Sequence, residues 1–323
     1  MIDFRYRGGP PPFSFETVCL ECHDPVRDRM IPVKIHFPKP LPSACPVILF
    51  SHCLGGSREG YGFLARHWAC HGYISVHPQH AGSDQAIWER VPAGHVMAAL
   101  RAAAMDAANA PARVGDVAFV LDQLALAADE TGICPWACAM DLTRLGVAGH
   151  SFGAMTALTL AGRGFAREGE PPMVDPRFKA ALAMSSPIPK TLEKRELEFG
   201  SIAIPALHMS GTEDEIPIST TRAEERRAPF DHARRAPSYF LNFQGGDHMV
   251  FAGMTRNAAR RETDAFIHEI IQESSLALWD AFLKDDAVAR QWLEQGGLTS
   301  RLNGQGTLEI KLPSPTAGGT ADK

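Results

Sequence analysis

Leu145-Gly146-Val147-Ala148-Gly149-His150-Ser151-Phe152-Gly153-Ala154-Met155-Thr156-Ala157-Leu158-Thr159-Leu160 decides how this chain is read. The first four residues are a short apolar run of the kind that forms a buried strand. The last seven are apolar and rich in helix formers. Between them, Gly149-His150-Ser151-Phe152-Gly153 must turn the backbone sharply from strand to helix. Such a turn holds its central serine in a strained conformation with the hydroxyl exposed, and the flanking glycines remove side chains that would clash. Ser151 is therefore the candidate nucleophile.

The 323 residues are enough for one large α/β domain, and 45% hydrophobic residues is the share of an ordinary globular protein with a substantial core. The formal charge of −5 is mild and the basic residues are scattered, which argues against a nucleic-acid partner. Met1 to Pro12 is polar and rich in Pro and Gly, with no apolar core of a secretory signal. No apolar run approaches the roughly 20 residues of a membrane span. The expectation is a cytoplasmic protein without an integral membrane segment. The seven cysteines are irregularly spaced, which does not read as a disulfide framework or a metal site. A local bridge between Cys134 and Cys138 is the one pairing left open.

Working outward, Ser14–Glu21, Met30–Phe37, Pro46–Phe50, Tyr73–His77, Leu145–Ala148, Ala180–Met184, Ala206–Met209 and Tyr239–Phe243 read as strands. Helical spacing recurs between them, and a long helix with the stripe Phe266, Ile267, Ile270, Ile271, Leu278, Trp279 and Phe282 spans about 258–283. This alternation predicts an α/β fold: a mostly parallel central sheet of about eight strands with helices on both faces. One catalytic domain would cover 1–312, and the Gly/Pro/Ser/Thr-rich 313–323 reads as a disordered tail. Two segments, about 82–111 and 186–201, are longer than connections require. Both follow C-terminal ends of strands, where open α/β sheets bind ligands, so they are expected to form a partial lid or pocket wall.

A serine hydroxyl needs a base to take its proton and a third group to orient that base. On a fold with this elbow the acid and the histidine follow the serine in chain order, each in a loop after a late strand. His248, in Gln244-Gly245-Gly246-Asp247-His248-Met249, fits the base. His232 and His268 are worse placed, one in an Arg-rich stretch and one inside the long helix. Asp214, in Gly211-Thr212-Glu213-Asp214-Glu215, is the expected acid. Glu213 and Glu215 read as solvent-facing, and Asp247 adjoins His248 too closely in the chain to orient it well. The oxyanion of the tetrahedral intermediate needs two backbone N–H groups. One is that of Phe152. The other comes from Ser51-His52-Cys53-Leu54-Gly55-Gly56, where Leu54 is favoured and Cys53 remains open. Cys53, Trp88 and Met249 are candidate substrate-pocket residues. His52 and His150 read as scaffold histidines.

Three stretches, Phe50-Ser51-His52-Cys53-Leu54-Gly55-Gly56-Ser57-Arg58, Gly149-His150-Ser151-Phe152-Gly153 and Gly246-Asp247-His248, resemble the α/β-hydrolase superfamily. Within it they are similar to the branch holding the platelet-activating-factor acetylhydrolases, dienelactone-hydrolase-like proteins and cutinase-like polyesterases. The resemblance spans roughly Val47 to Val250. It implies the α/β-hydrolase fold, with Ser151 as nucleophile, His248 as base, and the amides of Leu54 and Phe152 as oxyanion hole. It also implies cofactor-free and metal-free hydrolysis of short-chain carboxylic esters. The chain departs from the pattern at Cys53, where relatives commonly have glycine. It departs again at Met184-Ser185-Ser186, where the acetylhydrolases carry their acid and this chain has no carboxylate. Ser151 replaces the cysteine of true dienelactone hydrolases. The implied protein is a serine carboxylesterase acting on a small-molecule ester. Polyester or aryl-diester hydrolysis, phospholipid acetylhydrolysis and cofactor-free haloperoxidase or acyl-transfer chemistry are alternatives on the same triad. A non-catalytic binding protein on the same fold is the alternative of another class.

Overall fold

A computed structural model describes residues 4–129, 134–164, 173–255 and 258–313. Nine strands form one sheet: β1 Ser14–Asp24, β2 Arg29–Lys39, β3 Cys45–Ser51, β4 Ile74–Pro78, β5 Met140–His150, β6 Phe178–Met184, β7 Ala206–Glu213, β8 Ser238–Asp247 and β9 Gly306–Lys311. Their order is β1-β2-β4-β3-β5-β6-β7-β8-β9. The central strands from β4 to β8 run parallel, and β1, β2 and β9 pair antiparallel at the edges. β3 is buried along its whole length, as expected of a parallel strand covered on both faces.

β9 is the strand the sequence pattern did not reveal. Its residues are only partly buried, so no continuous apolar run marks it. It exists because β8 offers an open edge, which Thr307 to Lys311 cap in antiparallel register.

Apolar side chains fill both faces of the sheet. One core joins β2 to β6 with the helix Asn109–Asp129 through Val114, Val117, Val120 and Leu121. The other joins the opposite face to Arg261–Leu283 through Ile267, Ile270, Ile271, Leu278 and Trp279. The long segment around 82–111 becomes the short helix Ala86–Glu89, a single 3-10 turn and the helix Val96–Met105, which buries none of its residues. In the second long segment, Leu192–Phe199 is helical, and the Thr191 side chain caps its start. None of the seven cysteines is in a disulfide, Cys134 and Cys138 included. Among the described residues no helix is long and apolar enough to cross a membrane. Apart from Pro313, the tail expected over 313–323 lies outside the described residues.

Candidate active site

β5 runs into the helix Phe152–Leu160 with Ser151 between them at φ 55° and ψ −118°. That backbone is costly for a residue with a side chain, and the surroundings enforce it. A Cβ on Gly149 would lie 2.1 Å from Gly153 O, and one on Gly153 would lie 1.8 Å from Ser51 O. No side chain fits at either glycine without moving backbone, so the glycines let the elbow press against β3. The Ser151 amide donates to Met184 O at 2.8 Å, tying the elbow to the end of β6. Ser151 Oγ itself makes no hydrogen bond to the described residues.

Asp214 follows β7 and His248 follows β8, and the parallel pairing of these strands brings their loops together. His248 Nδ1 lies 2.8 Å from Asp214 Oδ1. Asp214 is fully buried and heavily partnered. Ser210 Oγ donates to its Oδ2 at 2.9 Å, and Arg226 Nε lies 3.0 Å from its Oδ1. Burial works to raise the Asp214 pKa. The hydrogen bond from His248, the Arg226 and His248 charges and the hydrogen bond from Ser185 outweigh it and hold the carboxyl below its ordinary value. Asp214 is therefore an anion positioned to accept from His248 Nδ1 and fix the ring's tautomer.

Ser185 stands where the expected acetylhydrolase pattern would have a carboxylate. Its Oγ is 2.7 Å from both Asp214 Oδ1 and His248 Nδ1. The elbow's chain neighbour touches the same histidine, because the His150 and His248 rings are 4.6 Å apart. Ser151 thus neighbours two residues that contact His248: His150 before it in the chain and Ser185 just after β6, whose Met184 carbonyl accepts the Ser151 amide. Burial, with help from the His248 and Arg226 charges, pushes the His150 pKa far down, so this ring stays neutral. Its Nδ1 is hydrogen-bonded to Tyr61 Oη at 2.7 Å.

Asp247 points elsewhere. It accepts from the amides of Met249 and Val250 and from Arg260 Nη1, at 2.8, 3.1 and 2.9 Å, and so stabilises its own loop. Arg226, which sequence reasoning passed over in its Arg-rich stretch, ties the acid loop to the end of β6. It donates to the carbonyls of Asp214, Ser185 and Ser186.

On the other side of the elbow, the loop after β3 carries the candidate second oxyanion amide. The Cys53 amide is engaged with Tyr61 Oη at 3.3 Å, whereas those of Leu54 and Phe152 have no acceptor among the described residues. A cavity of about 190 Å³ opens over Ser151, walled by Leu54, Ala104, Phe152, Met155, Ile216 and Ile218 among others. The walls are mostly apolar and suit a small acyl or alcohol group. Larger surface grooves lie near the N-terminal segment, away from Ser151, and hold none of this chemistry.

The three residues named as pocket candidates sit outside that cavity. Cys53 packs against the core cluster on the Trp279 side of the sheet. Trp88 donates from Nε1 to Gly55 O at 2.7 Å and braces the loop after β3 from outside. Gly55 has φ 73°, and a Cβ there would lie 2.9 Å from Leu100. Met249 caps the turn after His248 through its backbone. The pocket walls come instead from the 216–219 loop and the helix Val96–Met105, whose Arg101 donates to Pro217 O at 2.9 Å. Ala104 and Pro187 lie in the two long segments, 82–111 and 186–201, expected to wall the pocket; the 216–219 loop was not expected there.

Residues 25–91 match the family model of platelet-activating factor acetylhydrolase, isoform II. The fold is that of an α/β-hydrolase. The matched stretch covers β2, β3, the loop after β3, the helix Gly62–Cys70 and β4, and stops before Ser151. It supports a hydrolase of the acetylhydrolase or esterase type. A search of curated proteins returned no match.

Proposed function

We propose that this α/β-hydrolase is a serine carboxylesterase for short-chain esters, with Ser151, His248 and Asp214 as its triad and one catalytic domain over 1–312. The observation that carries the reading is the buried His248–Asp214 pair at 2.8 Å beside a serine held at φ 55° under a small apolar cavity.

In this reading Ser151 Oγ attacks the ester carbonyl while His248 Nε2 takes its proton. The His248 Nδ1–H bond to Asp214 stabilises the imidazolium. The carbonyl oxygen becomes an oxyanion received by the amides of Leu54 and Phe152. Collapse breaks the bond to the alkoxy oxygen, which leaves with the proton from His248. Water then attacks the acyl-enzyme with His248 again as base, releasing the acid and Ser151. The ground-state Ser151–His248 hydrogen bond is not formed in this structure. Such bonds commonly tighten only when substrate binds.

The cavity supports acetyl to butyryl groups better than long chains. A phospholipid acetyl ester or a polymer end would need its larger remainder to leave through the cleft mouth. The test is hydrolysis of p-nitrophenyl esters of increasing chain length by the wild type and Ser151→Ala. The expected result is a maximum at two to four carbons, roughly, and loss of all but background rate in the variant. Activity retained by a clean, folded Ser151→Ala preparation would sink the triad.

A further inference from the structure

Arg113 is the most deeply buried arginine among the described residues, at 0% exposure, and it lies in a helix whose neighbouring stripe is Val114, Val117 and Val120. A guanidinium is not placed in such a position without partners. Its partners are neutral, and they converge on the oxyanion loop. Nε donates to Ser83 Oγ at 2.8 Å, and Nη1 donates to His52 O at 2.6 Å and Ser51 Oγ at 3.2 Å. Nη2 donates to Cys53 O at 3.3 Å and Ser83 O at 3.4 Å. Ser83 O also accepts the Gly55 amide at 2.9 Å, so the loop and the segment after β4 are bound as one unit.

The Cys53 carbonyl is the informative acceptor. It belongs to the same peptide unit as the Leu54 N–H. Besides Arg113 it accepts from His52 Nδ1 at 2.7 Å and from the Gly56 amide at 3.1 Å. His52 Nε2 accepts the His80 amide at 3.0 Å, which fixes the Nδ1–H tautomer. Donors at a carbonyl draw electron density through the peptide and strengthen its N–H as a donor. The Arg113 guanidinium also lies 4.5 Å from the centroid of the Phe152 ring, the side chain of the other oxyanion residue.

We infer that Arg113 is the positioning residue of the oxyanion hole: it locks the Cys53–Leu54 peptide from behind, polarises its N–H, and holds Phe152 across from it. The inference rests on the esterase reading above. It gives a buried cation a catalytic consequence without substrate contact. Because the oxyanion exists only in the transition state and intermediate, the effect must fall on kcat, not on ground-state binding.

The test compares wild type, Arg113→Lys, Arg113→Met and Ser151→Ala on p-nitrophenyl acetate, with thermal unfolding to identify folded material. Binding of phenylboronic acid, a tetrahedral mimic, is measured in parallel. In Arg113→Met, kcat should fall about 100-fold with KM within about threefold, the scale of losing one oxyanion donor. The boronate inhibition constant should rise in step, and Arg113→Lys should recover part of both. If Arg113→Met does not fold, Ser83→Ala takes its place. That change frees the guanidinium's Nε anchor without removing its charge, and it should lower kcat a few-fold at constant KM. A folded Arg113→Met or Ser83→Ala enzyme with wild-type kcat, or one that loses only KM, overturns the inference while leaving the esterase intact. Full activity in Ser151→Ala would instead overturn the esterase reading itself.

Discussion

Among the described residues two clusters bring aspartate, histidine and serine together, and only one has its serine hydroxyl open to a cavity. In the cleft, Asp214 bonds His248, with Ser185 beside both and Ser151 next to them on the elbow. In the core, Asp116 Oδ2 lies 3.1 Å from His80 Nδ1, and His80 Nε2 lies 3.0 Å from Ser51 Oγ. Both aspartates are braced by arginine: Asp214 by Arg226 and Asp116 by the bidentate Arg29 at 3.0 and 2.9 Å. What differs is access and backbone. Ser51 is an ordinary residue of β3, and its hydroxyl is fully spent between His80 and Arg113. Ser151 sits at φ 55° with an unspent hydroxyl facing a cavity. The same three residue types make a strut in one place and a candidate catalytic group in the other. The strained elbow and the cavity are what separate the two.

The sharpest way to break this comparison is to make the same change in both clusters. Asp214→Asn presents an amide to His248 Nδ1 and disfavours the productive tautomer. We expect kcat per folded molecule to fall by roughly 10⁴, and stability to drop as well because the buried Arg226 loses its anion. Asp116→Asn leaves Arg29 and His80 without their anion. We expect a stability loss of about 3–5 kcal/mol in denaturant titration and less than about tenfold loss of kcat per folded molecule. Equal kcat losses would mean that the core cluster takes part in the reaction.

How far the sequence alone carried this site follows from the same contrast. Ser151, Asp214 and His248 each end or follow a short apolar run, so local pattern and chain order locate them. The Arg113 contacts to the oxyanion loop span about sixty residues of chain and are created by the packing of Asn109–Asp129 under β3 and β4. One signal was available: Arg113 and Asp116 interrupt the apolar stripe of that helix, and charges on a buried stripe require partners. Ser185 was visible only as a missing carboxylate. That it would share the acid's hydrogen bond to His248 depends on how the loop after β6 closes. The pocket wall was legible only as segments: 82–111 and 186–201 supply Ala104 and Pro187, whereas no local periodicity marked the 216–219 loop.

The pH axis sharpens the comparison through stability. Burial pushes the pKa of His80 down to about 4, that of His36 to about 4 and that of His208 to about 3. Unfolded histidines titrate near 6.5. Between those values the unfolded chain binds protons that the folded chain refuses, so stability rises with pH there and is lost as pH falls from about 6.5 toward 4. Each such histidine contributes on the order of 1 kcal/mol per pH unit across that window. Denaturant midpoints should be flat above pH 7 and fall steeply below 6. In His80→Gln the fall should be shallower and the starting stability lower. A midpoint independent of pH from 7 to 5 would show that these rings are charged or solvated in the folded protein, and the core cluster would lose its description as a sealed strut.

The smallest expected effect discriminates most finely. Ser185→Ala removes a hydroxyl 2.7 Å from both members of the His248–Asp214 pair. Asp214 keeps its bonds from Ser210 and Arg226, so its charge remains compensated. The loss should be that of one hydrogen bond to a charged group, about 1.5–3 kcal/mol at most in stability, and kcat should fall less than about tenfold at constant KM. Ser51→Ala in the core should do the reverse, costing stability because it leaves His80 Nε2 buried without a donor, and sparing kcat unless Arg113 shifts. If Ser185→Ala instead falls as far as Asp214→Asn, the proton on His248 Nδ1 is directed at Ser185 and only relayed to Asp214. The orienting group of the cleft would then be a serine–aspartate pair, an arrangement the core cluster has no counterpart for.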